Sequence, residues 1–195
     1  MATIFEPPRD LGAQFRSLLV SGRTIMVPGA FNPLAAIQAR EAGFECVYFS
    51  GVAFSASMGM PDLGLFTLTE LSDAVRKLVA AAQLPAIVDV DTGFGETLNV
   101  ARTVRELEDA GAAAIQIEDQ QMPKKCGHLE GKQLIPAEEM AEKVSMVVKM
   151  RLGLSIVART DARAVEGMES AIARTNMTML ADMMAAALPR KESFG

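Results

Sequence analysis

The chain has 195 residues, half of them apolar, and a formal net charge of −5. That length can bury a sizeable core within one domain, residues 1–195, and the acidic balance excludes the basic face expected of a nucleic-acid binder. The sequence lacks the run of about eighteen apolar residues that would predict a membrane span, and Met1 to Asp10 contains no apolar signal core.

The predicted elements alternate between strand and helix. Thr24 to Pro28 reads as a first strand, and the helix after it carries Ala36 and Ala39 inward and stops at Gly43. A second strand is predicted over 45–50. In 69–82, Leu71, Ala74, Val75, Leu78, Val79 and Ala82 form one apolar stripe at helical spacing, and Thr67 with Glu70 has the spacing of a capping box. A third strand covers 85–91, followed by a helix over 97–110 with Val100, Val104 and Leu107 on one face and Gly111 as its stop. A fourth strand covers 113–118, and Pro136 opens a helix whose inner face is Met140, Val144, Val147 and Val148. The fifth strand is 154–159, and a sixth is expected around Leu180–Met184.

Such alternation implies a parallel sheet with crossover helices, its strands apolar throughout and buried on both faces. A closed (β/α) barrel and an open doubly wound sheet both satisfy it. Polar groups interrupt the pattern at one end of the strands: Tyr48 and Ser50, Asp89 and Asp91, Glu118 and Asp119, Arg159 and Asp161. That is the end at which a barrel gathers its chemistry.

Asp89 and Asp91, two apart on a strand, are expected on one face, where paired carboxylates repel unless a cation or protons intervene. With Glu118 they make an oxygen-rich set suited to Mg²⁺ or Mn²⁺, the alternative being two helix-capping aspartates. Cys126 follows Lys124 and Lys125, which should favour its thiolate; the alternative is a basic surface loop with an incidental thiol. Gly127 would let a ligand approach the backbone, and His128, the one histidine, reads as a loop support or a ligand. Arg159 is suited to grip a carboxylate in two prongs, or else pairs with Asp161 or Asp91. Tyr48 either serves the chemistry or anchors the barrel mouth. Cys46, among apolar residues, reads as inert core, and two distant cysteines fit a reducing compartment. Gly93-Phe94-Gly95 lacks the third glycine of a dinucleotide fingerprint and is set aside.

The stretches VPGAFNPLAA, YFSG, MGMPDLG, VDVDTGFGETLNVARTV, IQIEDQ, PKKCGHLEGKQLIP and VARTDARAVEG, in order from about Met26 to Arg174, resemble the isocitrate lyase and phosphoenolpyruvate mutase superfamily, most closely its 2-methylisocitrate lyase branch. The resemblance implies a (β/α)8 TIM-type barrel and Mg²⁺-dependent cleavage of 2-methylisocitrate to pyruvate and succinate, in the methylcitrate cycle of propionate metabolism. It implies metal binding at Asp89, Asp91 and Glu118, and chemistry at Cys126 and Tyr48. Substrate contacts would come from Ser50, Gly51, Val52, Lys124, Gly127, His128 and Arg159, with Asp62 near the site. At Val52-Ala53 many methylisocitrate lyases have further glycines. A cytoplasmic homotetramer is implied, in the mitochondrial matrix for a eukaryote, although no transit peptide is visible. A relative acting on isocitrate, oxaloacetate, a dialkylmalate or a carboxyphosphonate is the second reading. A non-catalytic binding protein or inactive fragment is the third. Five to six β/α units fall short of the eight strands and about 250 residues of a full barrel, so the 195 residues read as an incomplete form of a longer enzyme, inactive alone.

Overall fold

The computed structural model describes residues 10–126 and 129–187, with side chains described as far as Met184. Five parallel strands lie side by side in chain order: β1 (Gly29–Ala30), β2 (Val47–Phe49), β3 (Ala86–Asp89), β4 (Ala114–Glu118) and β5 (Ser155–Arg159). The helices are α1 (Leu11–Leu19), α2 (Pro33–Glu41), α3 (Gly51–Ser57), α4 (Leu68–Ala82), α5 (Thr97–Asp109), α6 (Ala137–Met150), α7 (Ala162–Val165) and α8 (Met168–Ala187). Every strand-to-strand step passes through a helix, as parallel pairing requires. None of the described helices is long and apolar enough to cross a membrane.

The local signals explain the boundaries. Thr67 accepts from the Glu70 N–H at 3.3 Å while Glu70 accepts from the Thr67 N–H at 2.7 Å, so the capping box starts α4. Leu71, Val75, Leu78, Val79 and Ala82 of α4 are buried, as are Val100, Val104 and Leu107 of α5 and Met140, Val144, Val147 and Val148 of α6. These helix faces pack on one side of the sheet against Val47, Phe49, Ala86, Val88, Ile115 and Ile117. Gly93, at φ 92°, turns the chain from β3 towards α5 where a Cβ would stand 2.6 Å from Val100 Cγ2, so only glycine fits.

Three expectations change. The first strand is Gly29–Ala30 rather than Thr24 to Pro28. Its pairing begins where the Tyr48 N–H donates to the Pro28 carbonyl, and Met26 is 72% exposed. Proline has no N–H to offer a ladder. The sixth strand around Leu180–Met184 is absent, because those residues lie in α8. Leu180 to Ala187 contains only Leu, Ala, Asp and Met, without one β-branched residue, so helix propensity prevails. The Arg151–Asp182 pair at 3.6 Å ties α8 to the end of α6. Burial on both faces also fails in β5, where Val157 and Ala158 are exposed. That strand ends the order, and among the described residues it pairs only with β4.

Candidate active site

Registration brings the strand ends together. Tyr48 pairs with Ile87, Asp89 with Gln116, and Glu118 with Arg159, so β2 to β5 present their last polar residues along one edge. This is the C-terminal edge of the sheet, as the interrupted apolar pattern predicts.

Asp89 closes β3, but Asp91 does not reach the site by strand alternation. It lies beyond the strand at φ 48°, a left-handed turn that Asp tolerates better than most residues, and its N–H donates to Asp89 Oδ1 at 3.2 Å. The two carboxylates still converge. A Cβ placed on Gly51 would stand 3.2 Å from Asp89 Oδ2 and 3.7 Å from Asp91 Oδ1. Gly51 therefore keeps open the space beside both acids. Ser50 uses its hydroxyl to accept from the Ala53 N–H at 3.3 Å and cap α3, while Val52 is 47% exposed on that helix.

Lys124 and Lys125 do not serve Cys126 as the sequence suggested. Lys124 is buried, with its ammonium paired to Asp62 and, at 2.8 Å, to Asp91 Oδ1. Burial works against its charge, but the two aspartates outweigh that and hold its pKa above the usual lysine range. Lys125 donates to the carbonyls of Glu130 and Gly131 at 3.3 and 2.9 Å. Both amines are thus engaged by other groups, and Cys126 is a half-buried free thiol just beyond them. Gly127 and His128 lie outside the described residues.

Arg159 Nη1 meets Glu118 Oε2 at 3.0 Å, and Nη2 meets Asp161 Oδ2 at 3.1 Å. Its partners are thus Glu118 and Asp161, and Asp91 pairs with Lys124 instead. A third of the Arg159 side chain remains exposed. Glu118 Oε1 is buried with no hydrogen-bond partner among the described residues. Burial raises the Glu118 pKa to about 7, Arg159 opposes the rise, and Asp89 and Asp91 add to it. Burial and then Asp89 raise Asp91 to about 6 despite Lys124. Burial and then the Asp89 charge push the Tyr48 phenol far above its ordinary value, so it keeps its proton and acts as a donor. Gln116 Nε2 donates to the Tyr48 oxygen at 2.8 Å, and the phenol is also hydrogen-bonded to the Asp89 carboxylate.

Sequence reasoning missed Gln116 and Gln120, and gave no role to Lys132, which pairs with Asp161 at 3.6 Å. The only available signal was the unbroken polar run Glu118-Asp119-Gln120 after an apolar strand.

The carboxylates fit a divalent cation. Among the described residues no group of three or more His, Cys, Asp or Glu side chains is placed to hold a metal ion. Mg²⁺ does not need such a group, because it keeps several waters and binds through one or two carboxylates. The orphaned Glu118 oxygen, the raised Asp91 and Glu118 pKa values and the open space at Gly51 all mark a site short of positive charge.

A family model described as phosphoenolpyruvate phosphomutase matches residues 15–182. The chain belongs to this family. In the phosphoenolpyruvate phosphomutase family it is similar to a 2-methylisocitrate lyase of Halalkalibacterium halodurans, 52% identical over 180 residues, which cover 91% of this chain and 60% of that protein. Among solved structures it is similar to a 2,3-dimethylmalate lyase of the phosphoenolpyruvate mutase/isocitrate lyase superfamily, with TM-score 0.84 and 32% identity over 90% of this chain and 60% of the other. A phosphonopyruvate hydrolase in complex with oxalate and Mg²⁺ matches at TM-score 0.80 and 31% identity, over 87% of this chain and 59% of that one. The chain therefore spans about 60% of the length of these relatives.

Proposed function

We propose that the chain carries the metal- and carboxylate-binding part of a carbon–carbon lyase site acting on a small hydroxy acid, with 2-methylisocitrate as substrate. The observation that supports this reading best is the buried pair Asp91 and Glu118 with the half-buried Asp89, beside a partly exposed Arg159. Such a cluster accepts a cation on one side and a carboxylate on the other. The similarity to 2-methylisocitrate lyase favours that substrate over the dialkylmalates and oxoacids of other relatives.

Asp89 and Asp91 would hold Mg²⁺ or Mn²⁺, directly or through water, with Glu118 behind them. The bound cation supplies polarisation of the substrate hydroxyl and neighbouring carboxylate. Arg159 orients a second carboxylate through its partly exposed side chain while Glu118 and Asp161 fix its plane. Tyr48, locked as a phenol, donates to oxygen where negative charge develops. As the hydroxyl gives its proton to solvent and the carbon–carbon bond opens, pyruvate departs, Cys126 gives its proton to the succinate carbanion, and the thiolate takes a proton back from solvent. Ser50, Gly51, Val52, Lys124, Gly127 and His128 remain proposed substrate-side positions, with Lys124 acting through Asp91. A cytoplasmic homotetramer completes the reading.

The test is calorimetric titration with 2-methylisocitrate in Mg²⁺ and in EDTA, with products identified where turnover occurs. The reading predicts binding that requires the metal, with pyruvate and succinate as products. In parallel runs with isocitrate and oxaloacetate, glyoxylate from the first or oxalate from the second would move the assignment to another member of the superfamily. Absence of metal-dependent binding for every candidate acid would overturn it.

A further inference from the structure

We propose that Gln120 is a positioning residue that sets Cys126 against Arg159 by fastening the Lys125 peptide to Asp161. The proposal rests on the reading of Cys126 as proton donor and Arg159 as carboxylate grip.

Gln120 follows β4 by two residues and its side chain is fully buried. Its amide has two donors and one acceptor group, and all are used. Gln120 Oε1 accepts from the Lys125 N–H at 2.8 Å, and Nε2 donates to the Lys125 carbonyl at 3.0 Å and to Asp161 Oδ2 at 2.7 Å. Holding both backbone groups of Lys125 fixes the peptide planes on either side of it, the second of which carries the Cys126 nitrogen. The clamp is itself rigid. Gln120 bridges Leu134 in antiparallel fashion, the Gln121 N–H donates to the Gln133 carbonyl at 2.7 Å, and the Ile135 N–H donates to the Asp119 carbonyl at 3.0 Å.

The far end of the clamp is shared. Asp161 Oδ2 takes Gln120 and, at 3.1 Å, Arg159 Nη2, and the Asp161 N–H donates to the buried Asp119 Oδ1 at 3.0 Å. One carboxylate oxygen thus joins the loop of Cys126 to the guanidinium at the end of β5. A glutamine is the right residue, since its planar amide matches the N–H and C=O of one residue and still spares a hydrogen for a carboxylate. Glutamate cannot, because it has no donor and would face Asp161 with like charge.

The experiment is alkylation of the two cysteines by iodoacetamide without substrate, read by mass spectrometry in wild type and in Gln120→Glu. Cys46 has no exposed surface and reports global opening, whereas Cys126 is half-buried and reports the loop. Because no substrate is present, the outcome does not depend on which acid the site cleaves. Loss of the clamp should speed Cys126 alkylation about tenfold through local opening, with Cys46 still protected. An unchanged or slower Cys126 rate would overturn the proposal, as would a parallel rise at both thiols in a variant that still melts cooperatively. If Gln120→Glu does not fold, Asp161→Ala carries the test, since it leaves both Lys125 contacts and removes the outer anchor, along with the Asp161 pairs to Arg159 and Lys132. A rise of about threefold at Cys126 alone is then expected, and no rise overturns the proposal.

Discussion

Glu118 and Arg159 are register partners at the ends of β4 and β5, and their side chains meet at 3.0 Å while the second Glu118 oxygen has no partner among the described residues. A buried carboxylate with one satisfied oxygen is costly when ionised. It is tolerable in a site that fills with a cation, and that makes pH and metal the natural probes of the fold.

The metal-free protein should lose stability as pH rises. Asp91 and Glu118 bind protons more tightly when folded, at about 6 and about 7, than at their ordinary values of 3.8 and 4.5. Their stabilising protonation is complete below about pH 4 and is lost as pH climbs through 7. Melting temperatures in EDTA should therefore fall from pH 5 to pH 8, and Mg²⁺ should reverse much of the fall. A rise over that range would contradict the assignment.

Lys124→Met removes the cation shared by Asp62 and Asp91 and leaves the buried Asp91 and the half-buried Asp62 without it. Breaking a buried pair in this way costs roughly 3–5 kcal/mol. Denaturant unfolding in EDTA at pH 8 should show a loss of that order, and the loss should shrink at pH 5 as Asp91 protonates. An equal loss at both values would place the effect in packing rather than charge.

Gly51→Ala puts a methyl group 3.2 Å from Asp89 Oδ2, so the carboxylate must shift by tenths of an ångström. Alanine also suits the first turn of α3 better than glycine. Thermal stability should hold or rise while Mg²⁺ affinity drops about tenfold, as is usual for displaced supports of a metal ligand. Unchanged affinity would show that Asp89 has no part in metal binding.

The sheet and its active edge were legible because their signals are local. The α4 stripe with Thr67 and Glu70 needs no tertiary context, and neither does the arrest of each apolar strand at Tyr48, Asp89, Glu118 or Arg159. What sequence left hidden depends on neighbours. Asp91 joins Asp89 through a left-handed turn that spacing does not encode, and Lys124 reaches a partner 62 positions away in Asp62. Gln120 finds Asp161 only because β4 and β5 are adjacent. The segment Leu180–Met184 looked like a strand by its place in the alternation, yet its Ala and Met content makes a helix.

The central claim is that Asp89 and Asp91 hold a divalent cation at the mouth of this sheet, and titration calorimetry with Mg²⁺ at pH 8 tests it most directly. Wild type should bind one ion, and Asp89→Asn and Asp91→Asn should each weaken binding by more than about tenfold, having lost a charged ligand or its close support. If both variants bind Mg²⁺ as wild type does, the carboxylate cluster is not a metal site and the proposed chemistry loses its basis.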